Sequence, residues 1–246
     1  MATTPEGLRE RELEPGVLRW VLDNPARRNA IGPAVFEWIA MRCAELRGEV
    51  VIVRGAGEHA FTAGFDLTAL AKHNLLGQPH PPDASLIRAT SAMQSADATF
   101  VAALNGYVIG AGVELISACD FRLACPDASL RLPAGKLGVV YHAAGLTRIH
   151  AAFGPAIARR LLLAGEKVDI SDARPSLSAL VERAQLDEQA LALARRIREQ
   201  SARSVAGNRT ILRALDRAQS LPADLLEAHE QARRDAYRAL ASNGEG

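Results

Sequence analysis

The sequence predicts an α/β fold with a helical C-terminal region. Three observations predict it. Two short apolar runs, residues 50–53 and 100–104, read as strands buried in a sheet. Each run feeds a glycine-containing turn and then a helical pattern. From residue 186 onward, apolar residues recur at helical spacing with arginines on the polar faces. The 246 residues suffice for a sizeable core, in one large domain or one domain with a helical appendage. A core over residues 1–185 and a helical region over 186–246 are expected.

The remaining elements follow in order. Residues 8–13 and 17–22 alternate around Glu14-Pro15-Gly16, which predicts an opening hairpin. A polar loop carries Asn24-Pro25 and Arg27 to Ala30. Arg27 and Arg28 have two readings, a solvated loop or a phosphate contact. Pro33 sits near the start of a helix whose apolar face is Val35, Phe36, Ile39, Ala40, Cys43 and Leu46. After the 50–53 strand, Gly64 centres a turn, with Asp66 as the expected cap of a short helix over 67–72. Residues 74–83 hold three prolines and a glycine and predict a mobile loop or lid. A helix is expected over 84–98, then short strands over 121–124 and 128–132. Residues 133–142 form a loop ending in Tyr141 and His142. Two helices, 143–153 and 155–164, are broken by Gly154-Pro155. Beyond residue 171 the chain is expected to be almost wholly helical, with solvated charged faces or packing on a neighbouring subunit.

Composition narrows the function. Hydrophobic residues at 48% and charged residues at 23% suit a soluble protein, and 4% aromatics leave an Ala/Leu/Val core. A net charge of +1 gives no electrostatic basis for nucleic acid. Cys43, Cys119 and Cys125 lack metal or disulfide spacing and read as buried small residues in a reducing compartment. No run is long enough to span a membrane, and the first residues lack an apolar targeting stretch. A cytoplasmic protein with no membrane partner, no metal and no redox cofactor is expected.

The chemistry concentrates in residues 105–120. Here a strand passes Gly106, Gly110 and Gly112 and becomes a helix. Glycines on both sides of Ala111 let the backbone approach a ligand closely. The first helical amides have no intrahelical partner and suit an oxygen gaining negative charge. Glu114 stands in the first turn, as a dipole partner or as an acid/base beside whatever the amides hold.

These pieces resemble the crotonase superfamily, the enoyl-CoA hydratase/isomerase family. The likeness is carried by Asn24-Pro25 with Arg28-Asn29-Ala30, by Phe61-Thr62-Ala63-Gly64-Phe65-Asp66-Leu67, and by Asn105-Gly106, Gly110-Ala111-Gly112, Glu114-Leu115 and Cys119-Asp120. It covers nearly the whole chain. It implies a spiral of ββα units with C-terminal helices in trimer contacts, hence a homotrimer or homohexamer. It implies a coenzyme A thioester as substrate rather than a cofactor. The amides of Phe65 and Ala111 would hold the thioester oxygen. Arg27 and Arg28 would lie near the coenzyme phosphates, with Ala30, Ala63, Gly64, Asp66 and Leu67 along the bound coenzyme. The Phe65 ring either shapes the acyl pocket or fills core. Lys136 is a phosphate contact or a surface residue.

The likeness breaks in several places. Hydratases of this family use two glutamates, and where the second should follow Pro133 this chain has Ala134. Residues 140–145, Val-Tyr-His-Ala-Ala-Gly, resemble the loop of the methylmalonyl-CoA decarboxylase branch, although Phe65 stands where that branch carries a histidine. Tyr141 and His142 are thus candidates beside Glu114, or a hydrogen-bonded loop pair near a subunit contact. The resemblance implies an enzyme working through an oxyanion-stabilised thioester enolate, a lyase or isomerase. Decarboxylation of a malonyl-type thioester and non-catalytic acyl-CoA binding are the alternatives.

Overall fold

The computed structural model describes residues 3–66, 68, 81–216 and 222–243. Strands β1 (Leu8–Glu14) and β2 (Val17–Leu22) form the expected hairpin, with Gly16 at φ 75° in its turn. Helix α1 (Pro33–Glu45) starts at its proline and buries Val35, Phe36, Trp38, Ile39 and Cys43. Strand β3 (Arg47–Gly55) follows, then the short β4 (Ala60–Thr62). The expected helix over 67–72 and most of the 74–83 loop lie outside the described residues. Helix α2 (Ala84–Ser95) stops short of the expected residue 98, because Ala96 is extended and Asp97 opens strand β5 (Asp97–Leu104). The alanines at this junction hide the boundary from a pattern of apolar spacing.

Strand β6 (Tyr107–Ile109) leads into helix α3 (Ala111–Ser117). Strands β7 (Phe121–Ala124) and β8 (Ser129–Arg131) follow. Helix α4 (Ala143–Leu162) is interrupted at Gly154, whose φ of 74° breaks the helix where the sequence predicts. Then come β9 (Lys167–Asp169), β10 (Ala179–Leu180), α5 (Leu186–Arg198), α6 (Ala202–Asp216) and α7 (Ala223–Asn243). The nearly all-helical reading beyond residue 171 is therefore corrected. Strand β10 pairs in parallel with β7, and a two-residue strand has no period to read.

Two sheets share the work. Six strands in the order β1-β2-β3-β5-β7-β10 form the larger sheet, and β4-β6-β8-β9 form the smaller. From β3 to β8 successive strands alternate between them, which is the repeating turn of a spiral. The larger sheet is parallel from β2 to β10. One face of it carries the main core, in which Trp20 meets Trp38 edge-on at 5.3 Å and Phe100 at 5.7 Å. The other face is covered by α5, whose Leu186, Ala190 and Ala194 pack on Val17, Val50, Ile52, Val101 and Leu123. Among the described residues no helix is long and apolar enough to cross a membrane.

One expectation about the C-terminal arginines fails. Arg209 and Arg213 of α6 do not lie on a solvated face: both pair with Asp120, at 3.0 and 2.9 Å, and donate to the Met93 carbonyl near the end of α2. Carbonyls at a helix end lack intrahelical donors, and guanidinium groups supply them.

Candidate active site

The smaller sheet brings two turns together. Strands β4 and β6 pair in parallel, Ala60 opposite Tyr107 and Thr62 opposite Val108. Their carboxyl ends therefore lie side by side, where open α/β sheets place ligands. Gly64 and Gly110 occupy positive φ, at 93° and 57°. A Cβ on Gly64 would stand 2.6 Å from the Ile109 carbonyl oxygen and 3.3 Å from the Ala111 nitrogen, so only glycine permits this approach.

Hydrogen bonding separates the amides in these turns. Ala63 N donates to Arg28 O at 2.9 Å, Gly64 N to Thr62 Oγ1 at 3.0 Å and Asp66 N to Ile31 O at 2.9 Å. The Phe65 amide between them has no acceptor among the described residues. In the second turn Gly110 N donates to Arg131 O and Val113 N to Gly110 O, both at 2.9 Å. The Ala111 amide likewise has no acceptor among the described residues. The Gly112 amide, next along α3, also has no acceptor among the described residues, so the Phe65 donor of one turn stands beside the Ala111 and Gly112 donors of the other, in a place that demanded glycine to form.

The early loop is tied to the first turn. Asn29 is buried at φ 59°, and its amide nitrogen donates to the carbonyls of Ala56 and Ala60 at 2.9 Å. Arg27 reaches Asp66 at 3.1 Å and Thr68 at 2.7 Å. The Thr68 hydroxyl, with burial opposing it and Arg27 assisting, holds the Asp66 carboxyl below its usual range. Arg27, Arg28, Ala30, Ala63, Gly64 and Asp66 are thereby gathered at one edge, while Leu67 lies outside the described residues. Lys136 is exposed in a separate turn. The Phe65 ring stacks on Phe36 at 5.6 Å, at the border of the main core.

Glu114 has no exposed surface, and both its carboxylate oxygens are engaged. Oε1 accepts from Arg148 Nη1 at 2.9 Å and lies 2.9 Å from the Thr90 hydroxyl. That hydroxyl is also 2.9 Å from the Leu86 carbonyl, so its one proton is shared between the two. Oε2 accepts from the Tyr141 hydroxyl at 2.8 Å and contacts His142 Nε2 at 2.9 Å. Burial pushes the Glu114 carboxyl up, but the His142 contact, the Arg148 guanidinium and the Tyr141 hydroxyl outweigh it and hold the carboxyl below its usual range. Burial and the Glu114 charge push the Tyr141 phenol well above its own.

The sequence offers His142 no partner, and the structure supplies two. Its Nδ1 accepts from the Gly145 amide at 3.1 Å, capping α4, and its Nε2 meets Glu114. The ring stacks on Tyr141 at 5.2 Å. Gly145 is required here, since a Cβ would lie 2.6 Å from Tyr141 Cε1 and 2.9 Å from Glu114 Oε2. Tyr141 is the partly exposed member of this group, while Thr90, Glu114, His142 and Arg148 are buried.

Sequence reasoning missed Thr90, Arg148 and His229. His229 of α7 holds the Tyr141 carbonyl at 2.7 Å. Arg148 left one signal: it interrupts the buried stripe Gly145, Ile149, Phe153 of α4, where a charge requires a partner. Among the described residues no three potential metal ligands cluster.

Comparison with known proteins places this geometry. Residues 12–240 match the family model for enoyl-CoA hydratase/isomerase. The chain is 36% identical over 133 residues to the carnitinyl-CoA dehydratase of Citrobacter koseri, across 52% of this chain and 48% of that one. It is 31% identical over 170 residues to the carnitinyl-CoA dehydratase of Escherichia coli K12, across 67% of this chain and 63% of that one. The chain thus spans about half to two thirds of the length of these curated relatives. Among solved structures, an enoyl-CoA hydratase from Bacillus anthracis is 26% identical with a TM-score of 0.78, over 95% of this chain and 90% of that one. Methylmalonyl-CoA decarboxylase complexed with 2S-carboxypropyl CoA shares the fold, at a TM-score of 0.84 and 20% identity over 96% of this chain and 91% of that one.

Proposed function

Because the chain belongs to the enoyl-CoA hydratase/isomerase family, we propose that it processes an acyl-CoA through a thioester enolate held by the amides of Phe65 and Ala111. One observation carries this reading: those two amides are open donors on abutting glycine turns, with the Gly112 amide open behind Ala111, while Ala63, Gly64, Asp66, Gly110 and Val113 beside them are bonded. Pre-aligned donors stabilise an oxygen that gains charge without reorganising at the moment of reaction. Arg27 and Arg28 lie at the edge suited to the coenzyme phosphates, with Ala30, Ala63, Gly64, Asp66 and Leu67 along the coenzyme. Glu114, an anion at rest, is the principal acid/base that takes the α-proton and returns it. Tyr141 contacts the acyl substituent, and His142 orients the other two. The thioester is substrate, and the chemistry calls for no further cofactor. Subunits meet as a homotrimer or homohexamer through the C-terminal helices, where Ile211, Leu212 and Leu215 are exposed. The protein works in the cytoplasm.

A second reading is favoured by the state of Glu114. Both oxygens are engaged, and Ala134 supplies no second carboxylate. Hydration or dehydration by two glutamates, which activates water at one and moves the α-proton at the other, lacks a group here. Loss of carbon dioxide from a malonyl-type thioester generates the enolate directly and needs no strong base. The reaction is then decarboxylation.

The test incubates the protein with butyryl-CoA in deuterium oxide, and separately with malonyl-CoA and methylmalonyl-CoA, beside a Glu114→Gln control. Exchange of the α-protons, lost in the control, supports enolate formation with Glu114 in an acid/base role. Carbon dioxide release without exchange supports decarboxylation. Tight thioester binding with neither outcome overturns both and leaves an acyl-CoA binding protein.

A further inference from the structure

Glu114 is enclosed by elements that differ in charge. Helix α2 brings the uncharged Thr90, Ser91 and Gln94, and at its start Asp83 acts electrostatically on Tyr141. The loop before α4 brings Tyr141 and His142, and α4 itself brings Arg148. His142 is tied at both ring nitrogens: Nδ1 accepts the Gly145 N–H at 3.1 Å and Nε2 lies 2.9 Å from Glu114 Oε2. Tyr141 donates as a phenol. The Arg148 guanidinium pairs with the other oxygen, Oε1, at 2.9 Å.

Arg148 is also held. It is 5% exposed, Nη2 donates to Ser91 Oγ at 3.0 Å, and Nε donates to Gln94 Oε1 at 3.3 Å. A guanidinium fixed at two points on α2 presents its third donor to Glu114 in one direction.

We propose that Arg148 is a positioning residue: clamped to α2 by Ser91 and Gln94, it holds Glu114 as an anion in one orientation. This rests on the reading that acyl groups are processed here. Without Arg148, burial acts on Glu114 with one charged partner fewer against it, and the carboxyl takes up a proton at higher pH. A protonated Glu114 has one oxygen fewer to accept with, so the Tyr141 and His142 contacts rearrange.

The test follows the Glu114 carboxyl directly, by carbon-13 NMR of protein labelled in its glutamate side chains, with the signal assigned by its absence in Glu114→Gln. In the unmodified protein the signal stays in the ionised position from pH 5 to 9. In Arg148→Gln its midpoint rises by at least about one unit, and in Arg148→Lys it remains near that of the unmodified protein. Any acid limb in acyl-CoA turnover moves with it. A folded Arg148→Gln in which Glu114 titrates unchanged overturns the proposal. If Arg148→Gln does not fold, the double variant Glu114→Gln/Arg148→Met decides: its folding supports the pair, and its failure overturns it as a packing effect. The titration reads the carboxyl itself, so loss of turnover in every sample with the titration as expected refutes the functional reading and leaves the pairing intact.

Discussion

The Gly110 turn and Glu114 lie within one turn of each other on α3, the Gly64 turn abuts the first, and the turns and the Glu114 cluster are built on opposite terms. The turns are made of backbone and leave donors open, at Phe65, Ala111 and Gly112. The cluster is made of side chains and leaves nothing open on Glu114, whose two oxygens meet four groups from α2, α4 and the loop between β8 and α4. A buried polar group without a partner is costly. Open donors persist where a ligand visits, and a satisfied cluster persists where geometry and charge must be held. The comparison separates the part of the site that touches a substrate oxygen from the part that fixes its surroundings.

The largest effect expected is on the cluster. Glu114→Ala leaves the Arg148 guanidinium buried without its carboxylate, which costs about 3–5 kcal/mol of stability, read by urea denaturation. A loss under 1 kcal/mol would mean the cluster opens readily and is no anchor. Gly64→Ala tests the turns. Its Cβ meets the Ile109 carbonyl at 2.6 Å, and we expect a loss of about 1–3 kcal/mol together with weakened thioester binding by calorimetry. Unchanged binding would place the substrate elsewhere.

Acid sharpens the contrast, because the open amides of Phe65 and Ala111 do not titrate and the cluster does. The folded Glu114 carboxyl is depressed, so its stabilising contribution is present above the unfolded value of about 4.3 and is lost as pH falls through the folded one. Urea midpoints should fall on acidification below that value, less steeply in Glu114→Gln. Equal slopes would show that Glu114 is not held ionised. The smallest effect is at the rim. Arg27 is half exposed and pairs with Asp66 at 3.1 Å, so Arg27→Ala costs less than about 1 kcal/mol while weakening coenzyme A binding. A binding constant unmoved by this change would remove Arg27 from the phosphate site.

The turns were legible in the sequence and the cluster was not, for a physical reason. Gly64, Gly110 and Gly112 stand between apolar strand runs and helical patterns, and a positive φ or a close approach calls for glycine at such junctions. The hairpin at Gly16 and the break at Gly154 follow the same logic. Thr90 and Arg148 lie 24 and 34 residues from Glu114 and reach it only through the packing of α2 and α4 on α3. No local period encodes that meeting. Arg209 and Arg213 mislead in the same way, since an arginine that closes on Asp120 has the spacing of one that faces water.

The most direct measurement of the open amides is infrared spectroscopy of butyryl-CoA labelled with carbon-13 at its thioester carbonyl, bound to the protein. Two amide donors on that oxygen lower the carbonyl stretch below its value in free butyryl-CoA, and exchanging the Ala111 amide for an ester linkage removes part of the shift. A bound carbonyl at the free-solution frequency, or one indifferent to the ester exchange, would contradict the assignment of Phe65 and Ala111 as the donors that hold the thioester.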